Sequence, residues 1–584
     1  MKVARVFGET LRILLFLTRP LSEYVLTYIY ELFMGKTKQL PPIENEILLL
    51  SASELARKIR RREVARIFGE TLRILLFLTR PLSEYVLTYI YELFMGKTKQ
   101  LPPIENEILL LSASELARKI RRREIRSEEI VRAFAERCRV VNPLINAIVD
   151  ERYDDALNDA RTVDKFLSST DKSEEQIAKE TPLLGVPFSC KEAIGVKGMT
   201  QTCGIVAAKG RVADVDSESA ALYRKAGAIP LVVTIVPELC MWWESANLLH
   251  GVPRNPYNNT RTVGGSTGGE GAILTACGAV IGIGNDIAGS IRLPAAFCGI
   301  YGHKPSTGLV SNFGFFPSDD QENESVDAFV STGPMCRYVE DLPLLMKILA
   351  KDDKMIHLNK EVDFRKVKVY FMEGFPDFLL NPVPAVRKAV KKAAKYFEDK
   401  YGITAVSLNI EELGDSMTLW QCKLLEAGCP PFPVILANGN GQVNMWLELI
   451  KSLFRKSDHT LPAIYYGLIE KCDKDDFYYE CLKKYKTLEE KFSTIFNEDA
   501  ILLIPTYPEP APHYLMTIPK FANCGYTSIF SILGFPSTAI PAGMSFGVPI
   551  SIQAISGRQK DHLTISAALE LDKLFGGWKS SCHT

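Results

Sequence analysis

The chain has 584 residues, 47% of them hydrophobic, enough to bury one large core or two ordinary ones. Lys plus Arg and Asp plus Glu each number 69, and this balance excludes an extended basic face for nucleic acid. The 13 cysteines form no C-x-x-C pair and the histidines have no metal-ligand spacing. That leaves no disulfide framework or zinc site to expect, and points to a reducing, intracellular setting.

An internal repeat opens the chain. Residues 3–63 and 64–124 match at an offset of 61, with Val6 against Ile67 the single difference. Structural repeats diverge and stack, so two near-identical copies that then stop read as a recent duplication or a doubled exon in the gene model. Residues 1–63 are therefore expected to duplicate the adjoining segment, and 64–110 to form an apolar membrane-associating segment. The main folded domain is expected over 111–580. The apolar stretches Leu72–Leu78 and Tyr85–Met95 are split by Arg80, Pro81 and Glu84, with Arg73 and Glu92 inside them. A spanning helix needs about 20 apolar residues, and a central charge costs roughly 2.5–3.5 kcal/mol. An anchor lying in the membrane plane fits this pattern better than a span.

Ser112-Ala113-Ser114-Glu115 is a capping-box pattern for a helix running to the triple arginine at 121–123. A second helix is expected from near Ser127 to just before Asn142-Pro143. Short apolar runs then alternate with helical patterns: Asn146–Val149, Ala228–Val236, Val280–Ile283, Val367–Met372 and Ala500–Ile504. This alternation predicts an α/β fold with a largely parallel sheet covered on both faces. The charged, aromatic-rich region 352–500 reads as helices outside the sheet. Within it Trp446, Leu449, Ile450, Leu453 and Phe454 make one apolar stripe, with Lys451, Arg455 and Lys456 nearby. The stripe predicts either a lipid-facing helix or an ordinary core-packed one.

Three segments carry chemistry. Gly185–Glu192 puts Lys191 among apolar and small neighbours. Gly264-Gly265-Ser266-Thr267-Gly268-Gly269-Glu270 is a glycine-rich loop opening a helix of small residues. Asp286-Ile287-Ala288-Gly289-Ser290-Ile291-Arg292 follows the apolar run 280–283 directly. Singly, Lys191 could lie on the surface, Ser266 could be a helix N-cap and Ser290 a turn serine. Residues 264–268 also satisfy G-x-S-x-G, a motif that requires a strand leading into its serine. The polar Asn255–Thr262 stretch supplies none, and Asp561-His562 reads as part of a surface loop.

Taken together, these segments resemble the amidase signature family, and within it the fatty-acid amide hydrolases. Further matches are Glu238-Leu239-Cys240-Met241-Trp242, Asn255-Pro256-Tyr257, Cys298–Pro305, Thr332-Gly333-Pro334-Met335 and Phe575-Gly576-Gly577-Trp578. Lys191 and Ser266 lie 75 residues apart, Ser266 and Ser290 24 apart, as in the family. The resemblance implies an amidase domain over 111–580 with a large mixed, mostly parallel sheet covered by helices. It implies hydrolysis of long-chain fatty-acid amides through an acyl-enzyme, with Ser290 as nucleophile, Ser266 on a cis peptide as bridge and neutral Lys191 as base. Backbone N–H groups of Ile287, Ala288, Gly289 and Ser290 would form the oxyanion hole, supported by Asp286, Arg292 and Thr267. Cys240 and Met241 would touch substrate.

No cofactor, metal or nucleic acid is implied. The partners expected are a lipid amide and a membrane surface, with a homodimer left open. The chain departs from the family at Thr267, Ile235 and Ser551, and at Ala288, which stands for an oxyanion-loop glycine. A side chain at φ > 0 there costs about 1–2 kcal/mol. An amidase for small or aryl amides, an amidotransferase subunit and a catalytically weak membrane-associated binding protein are the alternatives.

Overall fold

Short apolar runs supply five of the eleven described strands of one mixed sheet. The computed structural model describes residues 100–317, 328–351, 358, 361–377, 380–428, 430–470 and 474–582. The first copy of the repeat, and the second as far as residue 99, lie outside the described residues. So does all but the last stretch of the expected membrane-associating segment.

The strands are β1 (Ile148–Glu151), β2 (Pro187–Lys191), β3 (Ile229–Thr234), β4 (Ile281–Asp286), β5 (Tyr301–Lys304) and β6 (Ser331–Cys336). They continue as β7 (Lys368–Phe371), β8 (Val406–Ser407), β9 (Ala500–Pro505), β10 (Ser537–Ser545) and β11 (Val548–Ile555). Their order across the sheet is β1-β3-β2-β4-β6-β5-β10-β11-β9-β7-β8. All five runs read as strands from the sequence are present.

The large mixed sheet is as expected, but its parallel character is confined to two flanks. β3-β2-β4 and β9-β7-β8 are parallel, whereas every pairing from β4 through β6, β5, β10 and β11 to β9 is antiparallel. These central strands escape sequence reading. β6 is Ser-Thr-Gly-Pro-Met-Cys and β5 is Tyr-Gly-His-Lys, compositions that look like turns until their neighbours bury them.

The helix expected at Ser112 is Ala113–Arg121, and the Ser112 hydroxyl accepts from Glu115 N–H at 3.2 Å. The next helix, Ser127–Ile145, passes through Pro143 rather than stopping before it. Pro143 sits in the last turn, and Asn142 Oδ1 meanwhile accepts from the N–H groups of Ala147 and Ile148. Asn146, with φ 49°, ends the helix in a left-handed cap.

The parallel flank places the chemistry. Phe188 pairs with Ile281 and Cys190 with Ile283, while Lys191 pairs with Thr234. The carboxyl ends of β2, β3 and β4 therefore finish side by side, which is where ligands bind in open α/β sheets. Two apolar clusters form the interior. One backs the sheet, and the other gathers Cys240, Trp242, Trp243, Ala288, Trp420 and Tyr526 around those strand ends.

Candidate active site

Lys191 is the last residue of β2 and is fully buried. Its Nζ lies 2.6 Å from Ser266 Oγ and 2.5 Å from Asn285 Oδ1. Ser266 comes from the loop ahead of the wholly buried helix Gly268–Thr275, and the Gly265–Ser266 peptide is cis. Ser245 seats this loop: its hydroxyl donates to Gly264 C=O and accepts from Gly268 N–H. Gly265 must be glycine, because a Cβ there would stand 2.5 Å from Trp242 C=O. A neutral amine so close to a hydroxyl can take its proton, the activation a serine nucleophile needs.

Ser290 lies in the turn between β4 and the helix Arg292–Cys298. Asp286, which ends β4, organises that turn. Its carboxylate accepts from Gly289 N–H at 2.6 Å, Ile291 N–H at 3.1 Å and Arg292 Nε and Nη2 at 2.9 Å each. Burial alone would raise this carboxyl, but the Arg292 guanidinium holds it down to about 2. Arg292 also reaches Ser531 and Gln553, so the ion pair is satisfied on several sides. A buried pair of this kind fixes geometry more than it adds stability.

The carbonyls of the turn are held as well. Trp420 Nε1 donates to Ile287 C=O at 3.0 Å and Thr527 Oγ1 to Ala288 C=O at 2.7 Å. In a trans peptide the following N–H points the opposite way, so Trp420 fixes the direction of the Ala288 amide. Among the described residues the N–H groups of Ile287, Ala288 and Ser290 make no hydrogen bond within the protein. Gly289 N–H, expected beside them as a fourth oxyanion donor, is bonded to Asp286 instead. Thr267 N–H donates to Ser290 C=O at 3.2 Å, which joins the two serine loops through the backbone.

The elbow alternative finds no strand before Ser266, whereas Ser290 sits in a strand–turn–helix. Asp561 and His562 are not on a surface loop. Both are buried at the start of the helix Asp561–Phe575. Asp561 receives Ser306 and lies 3.1 Å from His303 Nε2, so it serves the HKPS segment and not either serine.

A family model described as Amidase matches residues 129–565. The chain belongs to the amidase signature family. It is an amide-hydrolysing enzyme. Fatty-acid amide hydrolase 2-A of Danio rerio is 40% identical over 494 residues, covering 83% of this chain and 92% of that protein. Human fatty-acid amide hydrolase 2 is 37% identical over 528 residues, covering 87% and 98%. A solved structure titled fatty acid amide hydrolase superposes with TM-score 0.64 at 24% identity, covering 84% of this chain and 88% of that one, and shows the shared fold.

In this amidase Cys240 lies beside Lys191 and Ser266, in a short turn where Leu239 and Cys240 both take positive φ, 55° and 57°. Met241 follows, partly buried against the second apolar cluster. The strain anticipated at Ala288 is absent. Ala288 is not in the left-handed region, and Gly289 next to it carries φ 119°. A Cβ on Gly289 would also collide with the Thr527 hydroxyl. Thr267 stays useful without a second serine, its hydroxyl donating to Asn285 C=O at 3.3 Å. The substitutions at Ile235 and Ser551 are absorbed by the sheet: Ile235 N–H donates to Ala147 C=O, and the Ser551 hydroxyl meets Thr506 at 2.9 Å.

Sequence reading missed Asn285, Trp420, Thr527 and Ser531, and gave no role to Glu270. The Glu270 carboxyl accepts from Ser189 at 2.5 Å and Thr234 at 2.7 Å, tying together β2 and β3 beneath Lys191. Burial pushes it up to about 8, against the pull of the two hydroxyls and of Lys191. Asn285 and Glu270 lie inside or beside the quoted motifs and were there to be found. Trp420, Thr527 and Ser531 come from helices with no motif of their own.

Proposed function

We propose that this amidase hydrolyses long-chain fatty-acid amides through an acyl-enzyme on Ser290, with Lys191 as base and Ser266 as the proton bridge. The observation that carries the reading is the buried Lys191–Ser266 contact beside the Ser290 turn, in which the Ile287, Ala288 and Ser290 amides make no hydrogen bond among the described residues. Lys191, as the neutral amine, takes the Ser266 proton while Ser266 takes that of Ser290. Ser290 Oγ attacks the carbonyl carbon. The N–H groups of Ile287, Ala288 and Ser290 receive the developing oxyanion. The carbon–nitrogen bond then breaks, and the proton returns through Ser266 to the leaving amine. Water hydrolyses the ester by the same steps, releasing the fatty acid and restoring Ser290.

Two observations support a lipid substrate. The first is the type 2 fatty-acid amide hydrolases among its relatives. The second is the helix Met445–Leu453, where Trp446 is 68% exposed, Leu453 76% and Phe454 just beyond it 70%. Ile450 is exposed too and Leu449 half-buried, so most of the stripe does not pack on the core. No described helix is long and apolar enough to cross a membrane. The proposed attachment is peripheral, with this face in the acyl layer and Lys451, Arg455 and Lys456 at the head groups. With Ala288 unstrained, a catalytically weak binding protein loses the observation that favoured it.

The test is a hydrolysis series from acetamide and an aryl amide to saturated and unsaturated long-chain amides, with Lys191→Ala as control. Rates rising with chain length and lost in the variant are expected. A preference for acetamide or the aryl amide would overturn the lipid assignment.

A further inference from the structure

Cys138, Cys190, Cys203, Cys240 and Cys524 are free, buried thiols. Burial alone makes such thiols inert, and it pushes Cys138 up to about 12 and holds Cys190 and Cys524 well above the ordinary range. Cys240 runs the other way. Burial would raise it too, but the hydrogen bond with Cys203, the Lys191 amine and a hydrogen bond with Ser266 bring it down to about 7.

The geometry around it is specific. Cys203 Sγ lies 3.5 Å from Cys240 Sγ, although 37 residues separate them in the chain. The two turns that present the thiols are bonded to each other, Leu239 N–H donating to Cys203 C=O at 2.9 Å. The Cys203 turn is in turn held to the residue after Lys191, since Thr202 N–H and hydroxyl both donate to Glu192. Cys203 and Cys240 both have positive φ, 52° and 57°. Closing a disulfide requires the sulfurs to come to about 2.05 Å, an approach of roughly 1.5 Å that side-chain rotation across this short gap can supply.

We propose that Cys203 and Cys240 are an oxidation site inside the catalytic centre, closed to a reversible disulfide by a peroxide. That closure switches hydrolysis off, a consequence that rests on the Lys191–Ser266–Ser290 reading; formation of the bond itself does not. Cys240 gives up its proton and, as thiolate, attacks one peroxide oxygen. The O–O bond breaks and hydroxide leaves, taking up that proton as water, so that Cys240 becomes a sulfenic acid. The Cys203 sulfur then attacks the Cys240 sulfur. The S–O bond breaks and a second water leaves with the Cys203 proton. Two thiols and one peroxide give one disulfide and two waters, the sulfur pair losing two electrons. A dithiol reverses the step by exchange. The disulfide draws Cys240 away from Ser266 and Lys191 and removes its proton.

The test uses the full chain treated with hydrogen peroxide, alkylated, digested and mapped by mass spectrometry, with hydrolysis followed in parallel. A Cys203–Cys240 cross-linked peptide is expected, together with a loss of rate of roughly a hundredfold, the scale of an ångström-sized displacement at a reacting site. Dithiothreitol restores both. Cys203→Ser is expected to give no cross-link and to leave a Cys240 sulfenic acid that dimedone captures. Absence of the cross-link while other thiols oxidise would overturn the oxidation site, whatever the rates do. A cross-link that forms with the rate unchanged would overturn the switch.

Discussion

Asn285 accepts from Lys191 at 2.5 Å, and it is the residue just before the carboxylate that organises the Ser290 turn. The base and the nucleophile loop of the proposed relay are thus tied through one side chain at the end of β4. Asn285→Asp would put a negative charge beside Lys191 and favour its ammonium form. The expected result is a fall in kcat/KM at neutral pH that is recovered as pH is raised. An unchanged pH–rate profile would show that Lys191 is not the base.

The turn separates two neighbouring positions sharply. Gly289 has φ 119° and no room for a side chain, whereas Ala288 has ordinary backbone geometry. Gly289→Ala is expected to lose most activity and to lower Tm. Ala288→Gly is expected to bring no gain in rate and a stability loss of about 0.5–1 kcal/mol from added chain entropy. Steady-state rates and thermal melts of the two variants check this. A clear acceleration in Ala288→Gly would reinstate strain at that residue.

Legibility in the sequence divides between local and distant information. Lys191, Ser266 and Ser290 each sit in a compact motif, and the strand before Ser290 is a short apolar run, whereas the strand that ends at Lys191 is not among the runs read from the sequence. The central antiparallel strands were not readable, because β5 and β6 contain glycine, proline and polar residues that become strand only through their neighbours. Trp420 and Thr527, which aim the Ser290 turn, were equally hidden. They lie more than 100 residues away, and a buried donor to a backbone carbonyl has no sequence signature. The helix Met445–Leu453 was legible as an amphipathic stripe, but only its exposure showed that the stripe is left uncovered.

Glu270 links pH to stability. Its native carboxyl holds a proton up to about pH 8, while an ordinary glutamate gives it up near 4.5. The folded state therefore binds the extra proton between those values, and the contribution to stability declines as pH rises through that window and is gone above about pH 8. Glu270→Gln cannot ionise. Its Tm relative to wild type is expected to increase from about pH 6 to about pH 9. A constant difference across that range would mean that Glu270 is ionised throughout.

Trp446, the most exposed tryptophan of the five, reports on the proposed lipid face. Vesicles should shift the emission of the wild-type protein to the blue, and Trp446→Phe should lose most of that shift. Emission that shifts equally in the variant would place the membrane contact elsewhere.

The central assignment is Ser290 as the residue that carries the acyl group. Wild-type protein labelled with a fluorophosphonate, digested and mapped by mass spectrometry, tests it directly. The expected adduct is on Ser290, with labelling lost in Ser290→Ala. An adduct on Ser266 would contradict the relay and make the glycine-rich loop the nucleophile loop.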